Sequence, residues 1–191
     1  EEGLPGFAAK QMAQWLYVKK VRASSYDHIT IARCFYSQGT IYQHMYDWKK
    51  VIESNINASN YFKSSNNVNS QFRSLLRAIN GYSQLYETNR ASEIILQANT
   101  LLSQVSFANK GFYYATCISF YSDNEMIEEL RSVLSEYIYN IPKERIDWIS
   151  VAYAYTILND YEMANSAILT RFCEPEPYQP TTAAVIDGIS T

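Results

Sequence analysis

The sequence contains few of the residues that interrupt helices. Glycine occurs six times and proline five times in 191 residues, which argues against a β-rich or loop-rich protein because such folds need many tight turns. Charged residues make up only 18% of the chain and hydrophobic residues 47%, so the chain is not disordered throughout. The composition therefore predicts a folded, mainly helical protein that is long enough to bury a core.

Positive charge is also in short supply. The chain has 16 Lys and Arg residues against 19 Asp and Glu residues, and its formal net charge is −3. A protein that binds nucleic acid by neutralising phosphates needs a basic surface. We therefore expect no nucleic-acid partner, and RNA recognition by helical repeats, one base per repeat, is the least favoured alternative.

Cysteines and long apolar runs are scarce as well. Cys34, Cys117 and Cys173 are odd in number and far apart, which fits neither a disulfide framework nor a metal knuckle. No apolar run reaches the length of a transmembrane helix, and no secretory leader begins the sequence. These observations favour an intracellular, cytoplasmic protein without a membrane span. Because the sequence starts at Glu1 without methionine, we also consider it a fragment or a processed product.

The sequence lacks the usual catalytic motifs. It has no glycine-rich nucleotide-binding loop, no GxSxG elbow and no HExxH pair. His44 and Asp47 share one helical face, but they supply only two ligands, too few for a typical metal site. Without a convergent nucleophile, base and orienting group, we expect no enzyme, no cofactor and no metal.

The clearest positive pattern lies between Trp148 and Ile168. Apolar residues recur there at helical spacing, the pair Asn159-Asp160 interrupts them, and a second helical pattern follows. Small residues, Ala152 and Ala164, stand where two helices would have to touch. The pattern predicts a helical hairpin with a tight turn.

The same stretch resembles a tetratricopeptide repeat (TPR). The positions that carry the resemblance are Trp148, Ala152, Tyr155 and Ala164, which follow that family's spacing of aromatic and small residues. Weaker copies precede it, with equivalent points at His28, Leu75 and Gly111, at spacings of 47, 36 and 37 residues. The resemblance implies an all-α fold, a right-handed superhelical array of about four helix-turn-helix hairpins.

The domain organisation follows from these segments. We predict an N-terminal helix within residues 1–23, a TPR-like domain over residues 24–173, and a flexible, Pro-containing tail over residues 174–191. In the first hairpin, Gly39-Thr40 is predicted to end a helix. An insertion loop is predicted at about residues 56–69, because that stretch is rich in Asn and Ser and low in hydrophobicity.

Stacked hairpins leave one surface free for binding. The first helices of successive hairpins line a concave groove, and their side chains that neighbours do not bury face into it. Guanidinium and carboxamide groups suit a peptide backbone or carboxylate, and aromatic rings suit its side chains. The alternative is an ordinary solvated face. The residues we expect in the groove are Arg33, Tyr36, Arg73, Asn80, Gln84, Asn109, Phe112, Thr116 and Tyr153.

These patterns favour a binding protein. We expect a protein–protein interaction module, an adaptor or scaffold subunit of a larger assembly that binds a segment of its partner in the groove. The alternative is a regulatory domain of a longer protein that senses a peptide or a small ligand.

Overall fold

Residues 28–173 are described by the structure, a computed structural model, and within this range the chain forms eight α-helices and no strand. The prediction of an all-helical fold is confirmed for this part of the chain. The predicted N-terminal helix and the Pro-containing tail lie outside the described residues. In chain order the helices are α1 (His28–His44), α2 (Trp48–Ser64), α3 (Val68–Gln84), α4 (Thr88–Asn99), α5 (Phe107–Asp123), α6 (Ile127–Asn140), α7 (Trp148–Ile157) and α8 (Tyr161–Cys173).

The helices belong to two units. In the first, residues 28–146, α2 packs against α1 and α3, α3 packs also against α4 and α5, and α5 packs against α6. In the second, residues 147–173, α7 packs against α8. The four hairpins begin at His28, Val68, Phe107 and Trp148, and so follow one another at 40, 39 and 41 residues. This spacing is more regular than the one expected from the sequence.

The predicted insertion loop at residues 56–69 is wrong. Helix α2 continues through this stretch to Ser64, and α3 begins at Val68. Asn55 and Ser59 are buried where α2 packs against its neighbouring helices, although both residues are polar. The Asn55 side-chain amide donates to the Val51 carbonyl oxygen at 2.8 Å, so this short polar residue satisfies its donor within its own helix. The polar residues of this stretch therefore belong to a helix whose short polar side chains are buried, and not to a loop.

The predicted helix end at Gly39-Thr40 is also wrong, because α1 runs through both residues to His44. Gly39 is buried, and a Cβ atom built on it would lie 2.5 Å from the Asn55 Nδ2 atom of α2. The glycine therefore allows α1 and α2 to approach closely. Its role is helix packing and not chain reversal.

Five connections between helices share one structure. Each contains a non-glycine residue in the left-handed region, with φ between 54° and 60°; these are Tyr46, Asn66, Tyr86, Glu125 and Asn159. The N–H of the following residue donates to a carbonyl five residues earlier at 2.9–3.0 Å. This is the Schellman motif, and the carbonyl of its last residue accepts the first hydrogen bond of the next helix. One three-residue turn thus ends one helix and starts another.

Glycine at such a turn should stabilise the protein. Replacing Tyr86 with glycine should raise the free energy of unfolding by about 1 kcal/mol, because an L-residue with a Cβ atom is strained in the left-handed region. The Tyr86 side chain is 89% exposed, so little packing is lost with it. Urea denaturation followed by far-UV circular dichroism measures the change. The control is Tyr86→Ala, which removes the same ring but keeps the Cβ atom; equal stability of the two variants would contradict the argument.

Small residues line the seams between helices. Ala32, Ala58, Ala78, Ala91 and Ala98 are completely buried, and a methyl side chain lets neighbouring backbones approach closely. In the second unit Ala152 and Ala164 are buried, as the pattern of the last hairpin predicted. The alanines that the sequence pattern singled out are therefore contact points.

Candidate functional site

Helix α3 lies between other helices of the first unit and still exposes one stripe of polar side chains. Phe72, Leu75 and Ile79 are fully buried against its neighbours. On the same helix Arg73 and Asn80 are exposed, and Arg77 is half-buried. Positions 73, 77 and 80 recur at one helical turn, so their side chains lie on the same face. The hydrophobic pattern of α3 thereby fixes where this stripe points.

The stripe forms the floor of an open cleft. The cleft has a volume of about 280 Å³, and the first helices of three hairpins contribute to it. From α3 it is lined by Arg73, Leu76, Arg77 and Asn80, with Tyr36 from α1 and Phe112 and Thr116 from α5. We call this cleft the α1–α3–α5 groove. It combines two guanidinium groups, a carboxamide, two hydroxyls and two aromatic rings, and none of its lining residues is acidic.

Arg77 is held in a defined position within the groove. Its guanidinium carbon lies 4.0 Å from the centroid of the Tyr36 ring, a distance typical of a cation–π contact. Its Nη1 donates a hydrogen bond to Thr40 Oγ1, and the Thr40 hydroxyl donates in turn to the Tyr36 carbonyl oxygen at 3.2 Å. Two side chains of α1 therefore fix the plane of the Arg77 guanidinium group.

The structure brings five of the predicted residues together: Tyr36, Arg73, Asn80, Phe112 and Thr116 all line the groove. Arg33 on α1 and Gln84 on α3 are exposed but do not line it. Tyr153 is 46% exposed on α7 in the second unit. Arg77 was not among the predicted groove residues, although its spacing of four residues from Arg73 on a helix places the two side chains on one face.

Asn109 does not face the groove as predicted. It is buried, and its amide nitrogen donates to Asn69 Oδ1 at 2.7 Å. The same oxygen accepts from the Ser106 backbone N–H at 3.2 Å. Asn109 therefore helps to fasten the start of α5 to the start of α3, and its side chain is occupied by that contact.

Asp47, considered above as one of two metal ligands, has a structural role. Its carboxylate accepts the Lys50 backbone N–H at 3.3 Å at the start of α2 and lies 2.7 Å from Lys50 Nζ. The hydrogen bond from the Lys50 side chain is the largest cause that lowers the pKa of Asp47. Within residues 28–173, no three His, Cys, Asp or Glu side chains cluster so as to hold a metal ion.

A smaller cleft of about 160 Å³ lies between α4, α5 and α6. Tyr113, Tyr121, Glu129 and Glu136 contribute polar atoms to it. Burial raises the pKa of Tyr121 to about 12 and also raises that of Tyr113. Burial raises the pKa of the neighbouring Cys117 thiol to about 12 as well. These groups stay protonated at neutral pH, so Cys117 is not an activated nucleophile.

Comparison of the chain with protein-family models, with curated proteins and with solved structures finds no match in any of the three. Within the part of the chain that the structure describes, no helix is long and apolar enough to cross a lipid bilayer. The geometry of the α1–α3–α5 groove is therefore the basis for the function proposed below.

Proposed function

We propose that the protein is a non-enzymatic interaction module, an adaptor or scaffold subunit, that binds an extended segment of a partner protein in the α1–α3–α5 groove. The observation that carries the proposal is that Arg73 and Asn80 are exposed in the groove and have hydrogen-bonding groups unused by the described residues. Both side chains are exposed in the groove. Neither forms an ion pair or a side-chain hydrogen bond with another residue of the described range 28–173.

The chemistry of the groove suits a peptide. A carboxamide can donate to a peptide carbonyl and accept from a peptide N–H, and guanidinium groups form charge-assisted bonds with carboxylates. Phe112 is 57% exposed on the side of the groove that α5 provides. An exposed ring of this kind can cover an apolar side chain of the partner and gains free energy when water leaves both surfaces.

We also propose that the hairpins of the first unit stack as a right-handed, TPR-like superhelix with the groove on its concave side. The antiparallel hairpins and the contact between α3 and α5, the first helices of successive hairpins, support this arrangement. The hairpins of the first unit begin 40 and 39 residues apart, which is longer than the 34 residues of a TPR. The array would therefore be a lengthened variant of that architecture.

The test is a double substitution in the groove. Arg73→Ala together with Asn80→Ala should lower capture of partner proteins from source lysate at least several-fold, because each lost charge-assisted bond contributes on the order of 1.5 kcal/mol or more. Quantitative mass spectrometry of the captured proteins measures the loss. Both side chains are exposed, so the thermal unfolding midpoint should stay close to that of the unmodified protein.

The matched control carries the same two changes outside the groove. Asn60 on α2 and Arg131 on α6 are both exposed, so Asn60→Ala with Arg131→Ala should leave capture unchanged. Equal capture by the groove variant and the unmodified protein would place the binding surface elsewhere. A bound small molecule detected by native mass spectrometry, with no captured protein, would favour the sensor domain instead.

A further inference from the structure

The Arg77 guanidinium is fixed but its hydrogen-bonding capacity is mostly unused. One N–H donates to Thr40 Oγ1, and one face of the guanidinium lies against Tyr36. An arginine carries five N–H donors, and the remaining ones have no partner among residues 28–173. Because Arg77 is already ordered by these contacts, a ligand that it binds would cost little additional side-chain entropy.

Within the described range 28–173, no carboxylate provides a counter-charge for this group. Neither Arg77 nor Arg73, one helical turn away, forms an ion pair with a carboxylate of the described residues. None of the seven residues that line the groove is acidic, although the whole chain has a net charge of −3. The groove is thus a basic site on an acidic protein, and its missing partner is an anion.

The surroundings indicate which anion. Phe112, which is 57% exposed, provides apolar surface beside the two arginines, so we expect the ligand to carry an apolar group next to its negative charge. A planar guanidinium binds a carboxylate through two parallel N–H···O bonds. An acidic side chain with apolar neighbours in an extended peptide meets both conditions.

We propose that the partner segment carries an aspartate or glutamate side chain that Arg77 binds through its free N–H groups, with Arg73 as the second cation. Tyr36 and Thr40 are positioning residues, since they hold the guanidinium and do not bind the ligand themselves. This inference rests on the proposed function, because it assigns a chemical class to the peptide in the same groove.

Two matched peptide sets test the proposal. Both consist of peptides of about eight residues, a length that spans three neighbouring helices about 10 Å apart at about 3.3 Å per residue. All are acetylated and amidated at their ends, vary in their uncharged positions and contain either one central glutamate or one central glutamine. The immobilised full chain selects binders from each set, and fluorescence anisotropy measures their affinities. We expect the best glutamate peptides to bind at least tenfold more tightly than their glutamine counterparts.

Variants of Arg77 and of the residues that position it show whether Arg77 binds the peptide or only stabilises the fold. Arg77→Lys keeps the positive charge but loses the planar pair of N–H donors, and should lower the affinity for the glutamate peptides at least tenfold. Thr40→Val keeps the side-chain volume nearly constant but removes the hydroxyl that orients Arg77, and should weaken binding of the glutamate peptides several-fold. Tyr36→Phe keeps the aromatic ring, and this variant should bind the peptides as the unmodified protein does. Peptide binding should also shift the Arg77 Nε–H resonance in NMR spectra, a change that a purely structural arginine would not show.

Three outcomes would overturn the inference. If glutamine peptides bind in the groove as tightly as glutamate peptides, the acidic ligand is wrong but the peptide-binding function stands. If a third set, glutamine peptides with a free C-terminal carboxylate, binds as tightly as the capped glutamate peptides, a chain end and not a side chain is the ligand. If no peptide of either set binds, the proposed function fails together with the inference.

Discussion

Replacing Phe72 with alanine should lower the free energy of unfolding of the first unit by about 3–5 kcal/mol, the usual cost of removing a buried aromatic ring. Phe72 is completely buried on α3, and its ring centroid lies 5.9 Å from that of Tyr113 on α5. The side chain therefore joins the two helices that form most of the groove. Urea denaturation followed by circular dichroism measures the loss.

A neighbouring phenylalanine provides the control for this prediction. Phe112 belongs to the same unit but is 57% exposed, so Phe112→Ala should change the free energy of unfolding by no more than about 0.5 kcal/mol. The conservative change Phe72→Leu should fall between the two variants. Equal effects of Phe72→Ala and Phe112→Ala would show that the seam between α3 and α5 is not packed as described.

Gly39→Ala should lower the free energy of unfolding by about 1–3 kcal/mol, the usual cost of overpacking a seam. The new Cβ atom would lie 2.5 Å from Asn55 Nδ2. Asn55 is completely buried and donates to the Val51 carbonyl oxygen, so it cannot move aside without losing that bond. Denaturant titration of the single variant measures the effect.

A second glycine and a double-mutant cycle identify the cause. A Cβ atom on Gly111 in α5 would meet no atom within 4 Å, so Gly111→Ala should instead stabilise the protein by up to about 1 kcal/mol through helix propensity. In an Asn55→Ala background the obstacle to Gly39→Ala is gone, and the substitution should become neutral or stabilising. An unchanged penalty in that background would contradict a clash between Gly39 and Asn55.

The last hairpin could be predicted well from the sequence. Its two helices are α7 and α8, and the predicted turn at Asn159-Asp160 holds Asn159 in the left-handed region. The pattern was clear because large and small apolar residues alternate with exposed ones at helical spacing, and because the Asn-Asp pair is chemically suited to a turn. Local chemistry and local structure agree in this segment.

The first hairpin could not be predicted from composition. Its second helix buries Ser54, Asn55 and Ser59, and short polar residues in a seam resemble a loop when only hydrophobicity is considered. A different signal was available. The carbonyl groups that close the five Schellman turns all belong to aromatic residues, Tyr42, Phe62, Tyr82, Tyr121 and Tyr155, and the first three are spaced by 20 residues.

The groove could be predicted only in part. Tyr36, Arg73, Asn80 and Thr116 follow from helical spacing, since each lies on the face opposite to buried neighbours. Asn109 is an exception because its amide contacts Asn69, 40 residues away in the sequence. The importance of Arg77 rests on Tyr36 and Thr40, which belong to another helix. Contacts between distant segments bury Asn109 and hold Arg77 in place, whereas periodicity within one helix predicts only which side chains share a face.

The five Schellman turns have a consequence for changes in chain length. In each, the residue after the left-handed position closes the Schellman motif and also accepts the first hydrogen bond of the next helix. One added or deleted residue would separate these two tasks, and a shift of one residue along a helix rotates its side chains by about 100°. The longer connections at Leu102–Gln104 and Lys143–Arg145 share no residue in this way. Inserted tags and fluorophores belong in these two connections.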